Sequence, residues 1–164
     1  MPESIPAELV QLRQRAERFA TEVLIPHQTA LAAGKCDQAT VRRAVTCAAR
    51  DAGFFAMTQP QSAGGSEAGL LALTVVRDTL AAYNTGLDQL VFGPGPGVLA
   101  GCGEPLRSLY LQPLLNGEKR AGFAFTEPDD APHYTRAVPD EDGSWVVTGR
   151  KSYVTRGGDA DFLN

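Results

Sequence analysis

The spacing of apolar residues changes once along this chain, near Gly117, and that change limits what it can fold into. Upstream the spacing is three and four. Leu9, Leu12, Ala16, Phe19 and Val23 are separated by Arg and Glu, which predicts an amphipathic helix that Pro26 should stop. Thr40 precedes Val41, Ala44, Val45, Ala48 and Ala52, a second helix with an Ala-lined face, and Gly53 signals its end. Ser66 reads as the N-cap of a third helix carrying Leu70, Leu73, Val76, Leu80 and Tyr83. A shorter helix should start near Pro105, bury Leu106, Leu109 and Tyr110, and finish at Pro113.

Downstream the texture differs. "RAGFAF", "SWVVTG", "KSYVT" and "ADFLN" are short, rich in aromatic or β-branched residues, and divided by turn signals, so they predict strands. The Asp-Gly pair in "DEDGSW" predicts a hairpin tip. The expectation is a helical domain over residues 1–119 and a partial β-domain over 120–164. Four short strands leave unpaired edges and little core, and "ADFLN" runs to Asn164 as a strand begins. The sheet therefore needs further chain or a partner to complete it.

Composition narrows the function classes. Apolar residues make up 43% of the 164 residues and charged residues 21%, the balance of a globular chain. A formal charge of −4 gives no electrostatic reason to expect a nucleic-acid partner. No apolar run approaches the ~20 residues of a membrane span. The N-terminal stretch "MPESIPAELVQLRQ" has neither the basic nor the apolar region of a signal peptide, which suggests the cytoplasm. Cys36, Cys47 and Cys102 are widely spaced, and His27 and His133 lack a ligand partner at i+3 or i+4, so no metal site is expected.

Two stretches invite a functional reading. In "LVFGPGPGVLAGCG", Gly95-x-Gly97-x-x-Ala100 imitates a dinucleotide fingerprint, but no βαβ unit surrounds it, and a helix–helix connection is the better reading. In "GFAFTEPDDAPHYTRA" a strand runs into Thr126, Glu127, Asp129 and Asp130. These acids read either as a general-base or cation site or as a solvated turn held by Pro128 and Pro132.

"GFAFTEP", "DEDGSWVVTGRKSYVT" and "GGDADFLN", in that order, resemble the middle β-domain of the acyl-CoA dehydrogenase family. There a strand ends in Thr-Glu-Pro, a hairpin ends in Asn/Thr-Gly-x-Lys, and Trp/Tyr-Ile/Val-Thr follows. "QPQSAGGSEAG" is similar to the family's Pro-x-x-x-Gly-Gly loop, and "GCGEPLRSLYLQPLLNGE" to the segment that precedes its β-domain. The resemblance implies a mainly α fold, an acyl-CoA dehydrogenase-like N-terminal helical domain followed by the start of a β-barrel domain.

It also implies FAD, held by Phe123, Phe125, Thr126, Tyr153, Val154 and Thr155. Thr126 would offer its hydroxyl and N–H to the pyrimidine edge, Tyr153 would pack on the ring system, and Thr155 would hydrogen-bond near N5. Glu127 and Pro128 would shape the turn. The implied reaction is α,β-dehydrogenation of an acyl-CoA thioester in fatty acid metabolism, with hydride passing to FAD. The implied partners are an acyl-CoA substrate and either further copies of the chain or a related acyl-CoA dehydrogenase subunit.

There are two departures. Asp129-Asp130-Ala131-Pro132-His133 stands where the family continues Gly-x-Gly-Ser-Asp, about three residues shorter and poorer in phosphate donors. The family's catalytic glutamate comes from a C-terminal helical bundle, so no catalytic residue is expected within residues 1–164. The alternatives are a non-catalytic partner subunit or pseudoenzyme, and a flavin monooxygenase or oxidase on the same fold.

Overall fold

A computed structural model describes residues 6–164. The chain forms two compact units, one running to Gly97 and the other from Val98 to Asn164.

The first unit is helical. α1 (Ala7–Phe19) leads through a π-helical turn (Ala20–Leu24) into α2 (Ile25–Ala32), and α3 (Gln38–Asp51) and α4 (Leu70–Ala81) follow. α1 packs along α4, and α2 against α3. Their shared core holds Ala16, Phe19, Leu24, Val41, Val45, Ala49, Val76 and Leu80, with Phe19 and Phe54 edge to face at 5.4 Å. The predicted spacing therefore does face the core.

Pro26 does not stop the first helix. It sits at the second position of α2, and the preceding Ile25 N–H donates to Ala20 O, five residues back. The extra residue in that turn makes room for the proline ring and its missing donor, the two features that break a regular α-helix. His27 Nδ1 bonds Val23 O at 2.8 Å in the same turn.

α3 begins where Asp37 accepts the Thr40 N–H at 2.7 Å, and it ends at Gly53, whose φ is +76°. Ser66 is not the cap of α4. Its hydroxyl donates to Met57 O, Glu67 takes a left-handed φ of +52°, and the helix starts three residues later from Gly69. Leu70 is consequently exposed. The connection between α3 and α4 is pinned from within. Gln59 is 1% exposed and donates to Pro94 O at 2.9 Å, and Gly93 N–H donates to Phe55 O at 2.8 Å. A Cβ on Gly93 would lie 2.5 Å from the Phe55 ring, so only glycine permits this approach.

The second unit opens with a π-helical turn (Arg107–Leu111) leading into α5 (Gln112–Leu115). Pro113 occupies the second position of α5, and Gln112 N–H reaches back to Arg107 O. The device is the one found at Pro26, so Pro113 lies inside the helical run and does not end it. The buried side chains are Leu111, Leu114 and Leu115, whereas Leu106 and Leu109, predicted to be buried, are exposed. Leu106 precedes the wider turn and Leu109 lies within it, and burial begins only at Leu111.

Four short strands follow: β1 (Ala121–Gly122), β2 (Arg136–Pro139), β3 (Trp145–Thr148) and β4 (Phe162–Leu163). β2 and β3 form the predicted antiparallel hairpin, with Gly143 at φ +84° in its turn. β1 pairs with β4 in parallel, and the pairing extends through Ala124 N–H to Asn164 O at 2.8 Å. Two predicted strands shrink. Only Ala121 and Gly122 of "RAGFAF" are strand, and "KSYVT" contains none, because Tyr153 takes φ +53°, outside the β region. Every residue of the hairpin strands is exposed.

Candidate functional site

Two segments, 122–128 and 149–155, lie side by side within the second unit. Ser152 N–H donates to Thr126 O at 2.9 Å. Lys151 Nζ donates to Phe125 O at 3.0 Å and to Glu127 Oε1 at 2.9 Å. Thr135 N–H donates to the same Glu127 oxygen at 2.8 Å. One carboxylate and one ammonium thus tie together the end of β1, the entry to β2 and the exit from β3.

The electrostatics follow from that arrangement. Hydrogen bonding by Thr135, and then by Lys151, lowers the Glu127 pKa from 4.5 to about 2. Glu127 is therefore ionised at every physiological pH, and a carboxylate so acidic makes a poor general base. Of the two readings of the acids, the geometry puts Glu127 in the turn. Asp130, two residues beyond the first segment, pairs with Arg150 of the second in a solvent-exposed contact. Among the described residues no cluster of His, Cys, Asp and Glu could hold a metal ion.

The predicted cofactor residues fall on these two segments. Phe123 and Phe125, two positions apart, present stacked rings with centroids 5.7 Å apart and planes 6° from parallel. They are 57% and 72% exposed, and Tyr153 is 90% exposed. Thr126 follows Phe125 and is exposed, while its carbonyl is spent on Ser152. Val154 is half-buried, and a Cβ on Gly122 would lie 3.2 Å from it. Thr155 opens an exposed turn closed by Gly157 N–H to Val154 O at 2.9 Å. The Ser152 hydroxyl is buried without a hydrogen-bond partner among the described residues.

Sequence reasoning assigned no role to Lys151, Thr135 or Arg120. Lys151 stood in the Thr-Gly-x-Lys signature, and that was the available signal. Arg120 anchors β4: its guanidinium pairs with Asp159 at 2.7 Å and its N–H donates to Asp161 at 2.7 Å. The acids it uses are about forty residues away, beyond any local pattern.

A bundle of helices followed by short strands, with unspent aromatic rings where the strands begin, defines a helical domain leading into a β-domain. The chain belongs to the acyl-CoA dehydrogenase family, whose N-terminal domain model matches residues 6–118. Benzylmalonyl-CoA dehydrogenase of Aromatoleum aromaticum is 30% identical over 155 residues, which is 89% of this chain and 40% of that protein. The ChsE4-ChsE5 complex from Mycobacterium tuberculosis superposes with a TM-score of 0.70 at 19% identity, over 99% of this chain and 43% of the other. The FAD complex of PigA superposes with a TM-score of 0.66 at 24% identity, over 99% and 44%. The chain thus spans less than half the length of these proteins. The fold is that of the family's N-terminal helical domain and the start of its β-domain. Among the described residues no helix is long and apolar enough to cross a membrane.

Proposed function

We propose that this chain supplies the flavin-facing wall of an acyl-CoA dehydrogenase-type oxidoreductase, with residues 1–119 as its helical domain and 120–164 as the opening of its β-domain. One observation carries the reading: the Lys151 and Ser152 bonds join the Phe123–Thr126 segment to the Tyr153–Thr155 segment. That leaves flat, exposed aromatic surface beside two threonine hydroxyls. Such a surface suits a planar ring system with hydrogen-bonding edges.

FAD, when bound, supplies the hydride acceptor for α,β-dehydrogenation of an acyl-CoA thioester. The chain's own part is positional. Phe123, Phe125 and Tyr153 cover the rings and keep water off them, Val154 backs the wall, and Thr126 and Thr155 donate hydrogen bonds to ring edges. The family resemblance puts the base that takes the α-proton outside residues 1–164, and Glu127, bonded to Lys151 and Thr135, is not available for that role. The active form is an assembly, with further copies or with a related subunit, and the ChsE4-ChsE5 complex gives a heteromeric neighbour as support. The free thiols Cys36, Cys47 and Cys102 suit a reducing cytoplasm.

The test uses Thr155→Val in an assembly that contains the base-bearing domain. Losing the hydroxyl while keeping β-branched shape should slow flavin reduction in stopped flow by about tenfold to a hundredfold, with FAD affinity changed by about threefold or less. Unchanged reduction kinetics would remove Thr155 from the site. A second reading, a non-catalytic partner subunit, draws on the loop after Pro128. Asp130 there is engaged with Arg150, and Pro132 has no N–H to give a phosphate.

A further inference from the structure

We infer that Lys151 is the positioning residue that sets the register of the two flavin-facing segments, and that it does so before any cofactor arrives. This rests on the flavin-wall reading above for its purpose, though not for its geometry. Among the described residues Lys151 is the side chain whose hydrogen bonds reach both the Phe125 carbonyl and the Glu127 carboxylate beyond Thr126. Thr126 is therefore bracketed on both sides by a single ammonium. The next residue, Ser152, gives its N–H to Thr126 itself.

Three consecutive residues, 125 to 127, are thus fastened to two consecutive residues, 151 and 152. A slip of one position along either segment would break all of these bonds. The ion pair is better shielded than others in the chain, with side-chain exposures of 29% for Lys151 and 17% for Glu127. The neighbouring Arg150–Asp130 pair is mostly exposed and makes no second bond across the segments, so it holds register less firmly.

Register matters here because the segment beyond Ser152 turns sharply. Tyr153 and Arg156 both take left-handed φ angles, +53° and +64°, in a stretch with no strand neighbours. Bulky residues hold that conformation only when the surrounding structure imposes it. The fixed point upstream is Lys151. Without it the Tyr153–Thr155 turn would be tied to Thr126 by the Ser152 bond alone.

The test starts with the 164-residue chain and no cofactor. Amide hydrogen exchange is resolved at Ser152, paired with Thr126 O, and at Ala124, paired with Asn164 O outside the clamp. Lys151→Met should speed exchange at Ser152 by about tenfold or more while Ala124 stays within about twofold, the signature of local opening. Lys151→Arg retains donors for both oxygens and should recover most of the protection. Equal protection at Ser152 in wild type and Lys151→Met, or equal acceleration at both amides, overturns the inference. FAD titration of the same variants in an assembly that contains the base-bearing domain, followed by flavin fluorescence, should show binding weakened about tenfold in Lys151→Met and largely recovered in Lys151→Arg. Lost Ser152 protection with unchanged FAD affinity would overturn the positioning role. Lost protection in the chain, with an assembly whose wild type takes up no FAD, would overturn the flavin wall and leave the register device standing.

Discussion

Gly149→Ala should loosen the site from a position that touches none of its predicted cofactor residues. Gly149 lies opposite Thr135, one step beyond the Arg136–Thr148 pair of the hairpin. A Cβ built on it would overlap Thr135 Oγ1 and stand 2.6 Å from Thr135 Cβ and 2.8 Å from Thr135 Cα. Two of those atoms are close to the backbone and cannot swing aside, so Thr135 itself must move. Forcing one methyl into a packed contact costs about 1–3 kcal/mol. The glycine's φ is not left-handed, so the alanine conformation is unstrained, and the stiffer unfolded chain returns about 0.4–1 kcal/mol. The midpoints leave about 1.3 kcal/mol of destabilisation, roughly a ninefold rise in the opened population. Gly158→Ala is the matched control: it also avoids left-handed φ and meets nothing within 4 Å, so it should be neutral or slightly stabilising. Urea unfolding followed through Trp145, the chain's single tryptophan in β3, compares the two. If Gly149→Ala is as stable as Gly158→Ala, Thr135 is not held against β3, and the bracing of Glu127 by Thr135 fails with it.

Two further outcomes follow from the same turn. Replacing Asp129–His133 by a longer Gly-Ala-Gly-Ser-Asp-type loop should tighten FAD or acyl-CoA binding by restoring N–H donors, and calorimetric titration showing equal or weaker affinity would refute it. The Glu127 pKa is depressed in the fold, from 4.5 to about 2, so its bonds contribute fully above pH 4.5 and their contribution is lost as pH falls towards 2. The stability gap between the wild type and Glu127→Gln should therefore close as pH falls from 4.5 towards 2, and parallel curves would deny Glu127 its bracing role.

The helical unit was largely legible in the sequence because its signal is local. Leu9, Ala16, Phe19, Val41, Val45, Val76 and Leu80 all reach the core that their spacing predicts. The errors cluster at two prolines and one serine. Pro26 and Pro113 each follow a turn closed five residues back, and nothing in a hydrophobic period announces that extra residue. Around the second turn Leu106 and Leu109 are exposed, and Leu111, Leu114 and Leu115 are buried instead. Ser66 has the chemistry of a cap, but Met57 O claims its hydroxyl, a partner nine residues away that belongs to the fold of the loop.

The β segment was legible in composition and not in conformation, and the reason bears on the site. β-Branched and aromatic residues predict strands because they suit a pleated, half-buried surface. Here the hairpin strands are exposed on both faces, and "KSYVT" has no strand beside it, so composition names the surface a residue suits without supplying it. What holds these residues in place is polar and non-local: Arg120 to Asp159 and Asp161, Lys151 to Phe125 and Glu127, Thr135 to Glu127. Such bonds depend on chain separations of eight to forty-one residues, which no spacing rule can anticipate. The aromatic residues they leave outside, Phe123, Phe125 and Tyr153, are the ones a buried strand would have hidden. Exposed apolar surface of this kind is costly in water unless something covers it. The polar clamps therefore do for this segment what a hydrophobic core does elsewhere, and they leave its aromatic faces exposed.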